Sequence, residues 1–309
     1  MTGGTGGAMY GGLRILGAPP RQSLPGMPLV SIVTVVFNGA AHLEQAITSV
    51  LAQGYRNIEY LVIDGGSTDG TLDIIRKYED RIDYWLSEPD RGIYEAMNKG
   101  LQLARGELVG LLNADDFYEP NAVEKVVARY LEKGLPVIYY GDNLVLHDDL
   151  RLKYRRYASL HYWLGMSICH QAMFVHRDIY PQLGGYREGF RLAADYDFLL
   201  RAVAAKTPLI HVPAFLVTYR ESGLTGQHYM QSLNEARRIN REHFGWLSRY
   251  HVVYLISYCK TTVLYLLQKT VLGLFGRKLF DRLRVFYVRK ILVRAEDVVV
   301  DAELSDHER

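Results

Sequence analysis

The stretch ELVGLLNADD at 107–116 decides the fold. Leu108, Val109, Leu111 and Leu112 surround Gly110 without polar alternation, so the run reads as a strand buried on both faces. It stops at two adjacent carboxylates, Asp115 and Asp116. Open α/β sheets bind ligands at the carboxyl ends of their strands. Two close negative charges there repel and are costly to desolvate, and a divalent cation removes that cost. Oxygen ligands suit Mg2+ or Mn2+, which bind through one or two carboxylates plus substrate phosphates. The same acids can instead cap a helix starting near Asn121, and the stretch alone leaves both readings open.

Upstream, 29–37 (LVSIVTVVF) is β-branched and apolar, the pattern of a central parallel strand that Asn38 and Gly39 break. Leu43, Ala46, Ile47, Val50 and Leu51 then put one apolar stripe on a helix over 42–53. A second strand at 58–63 ends in Asp64, and GGSTDGT leads into a helix over 72–78. A short strand at 84–86 runs into SEPDRGIYEAMNKG, where Ile93, Met97 and Leu101 mark the inner side of the helix before 107–116. Downstream come a helix over 121–133 and a strand at 137–140. Such alternation predicts a mostly parallel, Rossmann-like sheet flanked by helices with right-handed crossovers.

Past Asp142 the rhythm changes. LVLHDDLRLKYRRY reads as an edge strand or hairpin, and CHQAMFV at 169–175 as a second buried strand. A glycine-bearing loop at 184–189 precedes a helix over 194–204, with Asp195 and Asp197 in its opening turn. A last strand at 212–219 and a loop at 222–227 follow.

Composition narrows the function. The formal net charge is +2, which argues against nucleic acid as a partner. Two distant cysteines, Cys169 and Cys259, give neither a disulfide framework nor a zinc pattern, so a reducing cytoplasm is the expected setting. Residues 1–27 are rich in Gly and Pro and read as a flexible leader; no GKS or GKT follows them, so a phosphate loop is a poor reading. The body is expected at 28–228 and a helical extension at 229–309. Between Tyr250 and Arg294 there are nine Lys or Arg against one acid, Asp281, among apolar pieces too short to span a bilayer. That segment reads either as an interfacial helix on anionic lipid or as a helical hairpin packed on the body or a second subunit. The last residues, AEDVVVDAELSDHER, read as a solvated tail.

Several ordered pieces, SIVTVVFNGAAHLEQAITSVLAQ, YLVIDGGSTDGT, EPDRGIYEAMNKG, LLNADD and AADYDFLLR, together resemble the family 2 glycosyltransferases of the GT-A fold. The resemblance spans roughly 28–222. It implies a nucleotide-sugar-dependent, inverting, metal-assisted transferase using Mn or Mg. Asp64 matches the acid that recognises the donor's base or ribose, and Asp90 and Arg91 sit where the family closes over the nucleotide. NADD departs from the usual metal motif: Asn113 stands where an aspartate is common, while Asp115 keeps the metal position and Asp116 is a second candidate. Asp195 matches the base that deprotonates the acceptor, with Ala194 where Glu is frequent; Asp197 is expected to face elsewhere. His170 and Gln171 fall in a segment that lies by the acceptor in similar enzymes.

The implied donor is a nucleotide sugar, UDP-linked first among them. The implied acceptor is a cell-surface polysaccharide or lipid-linked glycan at the cytoplasmic membrane face, with peripheral attachment to its anionic lipid. A sugar-phosphate nucleotidyltransferase would need a glycine-rich basic loop where FNGAAHLEQ stands. A catalytically silent scaffold of the same fold is the rival from another class, motivated by Asn113 and Ala194.

Overall fold

The computed structural model describes residues 7–147, 152–221, 223, 226, 228–287 and 295–299. In chain order the strands are β1 (Met9–Gly11), β2 (Val30–Val36), β3 (Ile58–Asp64), β4 (Tyr84–Ser87), β5 (Leu108–Asn113), β6 (Phe117–Tyr118), β7 (Ile138–His147), β8 (Leu152–Arg156), β9 (Met173–His176), β10 (Leu209–Arg220) and β11 (Val298–Val299). The helices are α1 (Leu43–Leu51), α2 (Thr71–Lys77), α3 (Ile93–Leu103), α4 (Ala122–Lys133), α5 (Ile179–Leu183), α6 (Ala194–Ala204), α7 (Tyr229–Phe244) and α8 (Arg249–Tyr287).

All the strands join one sheet, ordered β1-β4-β3-β2-β5-β9-β7-β10-β6, with β8 on β7 and β11 on β8. β4, β3, β2 and β5 run parallel, as does β7 with β10, while β9 lies antiparallel between β5 and β7. β2 is buried throughout because its alternate residues feed two cores. Val30 and Ile32 pack with α1, α2 and α4; Val33 and Val35 pack with α3 and α6. Each such side chain contributes about 1.5–3 kcal/mol on burial. Gly110 has to be glycine, because a Cβ there would lie 2.8 Å from the Tyr118 hydroxyl and 2.9 Å from the Phe174 ring.

Three expectations need correction. The leader is not a flexible appendage from residue 7 onward: β1 pairs antiparallel with β4, and Leu13 and Arg14 donate to the carbonyls of Ile82 and Asp83. Arg14 also reaches the buried Glu59 at 2.6 Å, a carboxylate that accepts from Ser31 and the Arg105 N–H as well. An uncompensated buried charge costs about 3–5 kcal/mol, which is what ties this arm down. The stretch at 169–175 is a strand only in its second half; His170–Ala172 forms a 3-10 turn before β9. Residues 295–299 are not tail: β11 pairs with β8, and Arg155 donates to the Glu296 carbonyl at 2.7 Å. The expected loop at 222–227 falls largely outside the described residues.

The C-terminal helices begin as part of the body. Ile239 and Asn240 of α7 are fully buried, and Asn240 donates to the Trp163 carbonyl at 2.9 Å and to the Tyr196 hydroxyl at 3.2 Å. α8 bends at Gly276, whose φ of 74° interrupts the helix. Among the described residues no helix is long and apolar enough to cross a membrane.

Candidate active site

The parallel register brings the expected residues to one end of the sheet. Asp64 ends β3 beside Val36 of β2, and Asn113 ends β5 beside Val35 on the other side. Asp64 is fully buried. Its Oδ2 accepts from Ser87 Oγ at 2.6 Å and the Ser67 N–H at 3.1 Å, and its Oδ1 accepts from Ser67 Oγ. Asp90 accepts from the Gly92 N–H at 2.9 Å and lies against Gly65, where a Cβ would come 2.5 Å from its Oδ2. Burial, aided by the negative charges of Glu95 and Asp64, raises the Asp90 carboxyl pKa. Arg91 is exposed and donates to Glu95 and Glu188, both at 2.6 Å, which links α3 to the loop before α6.

Asp115 and Asp116 part company after the turn. Asp116 is buried, with Oδ1 accepting from the Arg220 N–H at 2.8 Å and Oδ2 from Gln171 Nε2 at 2.5 Å. Burial and the neighbouring Asp115 charge push its pKa well above the carboxylate range. Burial also raises Asp115, against the opposing charges of His42, Arg220 and His170 that converge on it. The Oδ1 of Asn113 is buried with no hydrogen-bond partner among the described residues.

These residues can be tested against a divalent cation. No group of three or more His, Cys, Asp or Glu is placed to hold an ion among the described residues, so an all-protein cage is not built here. One carboxylate, Asp115, and the unpartnered Asn113 oxygen fit the sparser mode, in which phosphates and waters complete the shell.

Asp195 opens α6. Its Oδ1 accepts from the Tyr94 hydroxyl at 3.1 Å and from the Tyr196 N–H at 2.9 Å, and its Oδ2 lies 3.3 Å from His170 Nδ1. The His170 Nε2 is buried and unpartnered among the described residues. The 3-10 turn explains this placement, because it swings His170 toward Asp195 and Gln171 toward Asp116. Asp197 points the other way, to Arg201 at 2.7 Å and His243 at 3.1 Å. Burial raises its pKa, but the bonds from His243 and Arg201 outweigh that and hold the carboxyl below its usual range.

Asp195 and His170 are thus brought together at 3.3 Å, at the sheet end that also carries Asp115, with Asp64 and Asp90 on the other side of the β2 tip. Gln171 and Asp116 pair with each other, and Asp197 stands apart. A cavity of about 720 Å3 lies at the opposite, amino-terminal end of β2 and β5, and none of the expected residues lines it. Several contributors escaped the sequence reading. Tyr94 and Ser87 lie within quoted motifs, so a polar side chain at a strand end or helix start was the available signal. Glu235 had none: its Oε2 accepts the N–H groups of Arg191, Leu192 and Ala193 at 3.0, 2.8 and 3.2 Å, holding the approach to Asp195.

Known proteins resemble this chain in sequence and in fold. The chain is 37% identical over 192 residues to an uncharacterized glycosyltransferase of Mycobacterium tuberculosis, covering 59% of this chain and 71% of that one. It is 32% identical over 212 residues to a PGL/p-HBAD biosynthesis glycosyltransferase of Mycobacterium bovis, covering 63% and 78%. Among solved structures, residues 1–349 of S. aureus TarS in complex with UDP match with a TM-score of 0.53 and 16% identity, over 70% of this chain and 65% of that one. The mannosyltransferase PcManGT from Pyrobaculum calidifontis, in complex with GDP-Man and Mn2+, matches with a TM-score of 0.53 and 17% identity, over 85% and 81%. The fold is therefore that of the GT-A glycosyltransferases. The family model for glycosyl transferase family 2 matches residues 31–183, from β2 through α5, and with these relatives it establishes that the chain is a glycosyltransferase belonging to that family.

Proposed function

We propose that this glycosyltransferase moves a sugar from a nucleotide-diphosphate donor to a hydroxyl of a cell-surface glycan or lipid-linked acceptor, inverting the anomeric carbon. The observation that carries the reading is the contact of Asp195 with His170 at the sheet end where β5 runs into Asp115. Asp195 acts as general base. An alcohol is a weak nucleophile at neutral pH, and a carboxylate within hydrogen-bond reach takes its proton as the new C–O bond forms. The bond between the anomeric carbon and the diphosphate oxygen breaks on the opposite face, and the nucleoside diphosphate leaves. Tyr94 and His170 orient the Asp195 carboxylate. Asp64 and Asp90 hold the nucleoside, and Arg91 closes over it after leaving Glu188. Asp115 and Asn113 would hold a divalent cation, which supplies positive charge for the departing diphosphate.

UDP-linked and GDP-linked sugars are the first donors to test, because GT-A neighbours were solved with UDP, UDP-GlcNAc, and GDP-Man plus Mn2+. The acceptor is met at the inner face of the cell membrane by a peripherally held protein, and the relative named for PGL/p-HBAD biosynthesis supports a biosynthetic role of this kind. The catalytic unit runs past residue 228 to include α7, because Glu235 holds the backbone before Asp195 and Asn240 and His243 tie α7 to α6.

The test is nucleotide release from UDP-, GDP- and dTDP-sugars with and without Mn2+ or Mg2+. Release with one donor class, metal-dependent and lost in Asp115→Ala, is expected. Asp195→Asn should lower transfer about 10²–10⁴-fold with the fold intact. Silence across the panel, with no thermal stabilisation by any nucleotide, would overturn the reading in favour of a silent scaffold.

A further inference from the structure

α7 and the first half of α8 form a hairpin whose inner face is aromatic. Tyr250 packs on Trp163 and Phe244 with ring centroids 5.6 and 5.3 Å apart, and His251 bonds Asn240 at 2.9 Å. Tyr254 is buried, Tyr258 donates to Asn234 at 2.7 Å, and Tyr265 stacks on Tyr229 at 5.6 Å. With 100° per residue these five positions share one side of the helix. The opposite side carries a second apolar stripe: Val252, Val253, Ile256, Val263, Leu266 and Leu267 are all exposed, and Leu274 continues the line. From Val252 to Leu274 the stripe is roughly 33 Å long at 1.5 Å per residue.

A helix apolar on both sides is one that something else covers. At the hairpin's turn Trp246 and Leu247 stand 67% and 97% exposed, and Arg241 lies 5.0 Å over the Trp246 ring. An aromatic body with a cation beside it, at the end of an aliphatic stripe, is the composition of a membrane interface. Charge selects among the covers. Residues 250–294 hold nine Lys or Arg against one acid, in a chain of formal net charge +2. A second copy in a two-fold contact would bring two such basic segments together. Anionic lipid complements it, at about 1 kcal/mol gained per cation near the surface.

We infer that the outer face of α8, with Trp246 and Leu247, lies in the interface of an anionic bilayer. This deepens the peripheral-membrane reading proposed above and rests on it. It also fixes which side of the protein faces lipid. Trp163, packed on Tyr250, belongs to the segment that leads to His170, and that segment exposes Leu160 and Leu164. The segment leading to the acceptor side thus packs on the inner face of the helix whose outer face meets lipid.

The experiment uses the full chain, sedimented with vesicles of phosphatidylcholine alone or mixed with phosphatidylglycerol, at low and high salt, with light scattering in parallel. The wild type should sediment with the anionic vesicles, less so as salt rises, and not with the neutral ones. Ile256→Glu with Leu266→Glu should cost about tenfold or more in vesicle affinity while nucleotide release in solution stays unchanged. A chain that releases nucleotide but ignores anionic vesicles overturns the inference. So does a dimer that the double variant dissociates, which would give the stripe to a second copy. Vesicle binding without release from any donor sustains the lipid surface and defeats only the enzymatic reading.

Discussion

Asp64 and Asp195 stand at one end of the sheet, held by different means. Asp64 takes its bonds from Ser67 and Ser87, no more than 23 residues away and both within one βαβ unit. Asp195 takes one from Tyr94, 101 residues away, and the backbone before it hangs on Glu235 of α7. A carboxylate set by its own strand and turn is in place once that unit folds. A carboxylate set by a distant helix depends on closure of the whole body, so damage to α7 should reach the acceptor side and spare the donor side.

The strongest way to break that contrast is Glu235→Ala. Three backbone N–H groups would lose one charged acceptor, and hydrogen bonds to charged groups contribute about 1.5–3 kcal/mol each when buried. The loop is part-buried, so a loss of about 2–3 kcal/mol overall is expected, read from urea unfolding. A base misplaced by about 1 Å costs on the order of 10²-fold in rate, so transfer should fall by that factor. Nucleotide affinity, measured by calorimetry, should not change. Glu235→Gln keeps one acceptor oxygen and should fall between the two. A variant losing nucleotide affinity in step with transfer would show the two sides to be one cooperative unit.

The same contrast accounts for what the sequence disclosed. β2, β3 and β5 are apolar runs ended by Asn38, Asp64 and Asp115, and α6 starts where ADYDFLLRAVA predicts. Each is a local pattern, so periodicity located it within a residue or two. The 3-10 turn at His170–Ala172 was hidden because apolar CHQAMFV satisfies a strand pattern equally well; the bonds from Gln171 to Asp116 and His170 to Asp195 decide it. Likewise Arg14 gives no local sign that Glu59 awaits it 45 residues on. That Asp115 and Asp116 face different surroundings was equally invisible, since only the arrival of β10 supplies the Arg220 N–H.

A smaller effect tests the contact between α6 and α7 that lies behind the acceptor side. Asp197 is held below its ordinary value of 3.8 because the bonds from His243 and Arg201 outweigh its burial. A carboxyl depressed by folding adds stability above its unfolded pKa and loses it as pH falls through the folded one. In His243→Ala the folded pKa should rise toward the unfolded value, shrinking that contribution. The variant should be less stable by about 1–2 kcal/mol at neutral pH, with less further loss on acidification to about pH 3. Urea midpoints across that range check this. Parallel profiles for the two proteins would mean that Arg201 and Arg187, whose guanidinium lies 3.2 Å from Asp197 Oδ1, alone hold Asp197 ionised.

The smallest effect is expected on the donor side, in Ser87→Ala. The hydroxyl at 2.6 Å from Asp64 Oδ2 is lost, but Ser67 still donates through its backbone N–H and its side chain. A bond to a carboxylate contributes about 1.5–3 kcal/mol, but Ser67 keeps both oxygens of Asp64 bonded, so a net loss of about 1 kcal/mol is expected, or roughly fivefold in nucleotide affinity by calorimetry. Transfer at saturating donor should not move, because Asp195 and its supports are untouched. Local redundancy is what makes this half tolerant: each partner of Asp64 comes from the turn or strand that already places it. A hundredfold loss in Ser87→Ala would mean that Asp64 hangs on a single bond, and the difference in how the two carboxylates are held would disappear.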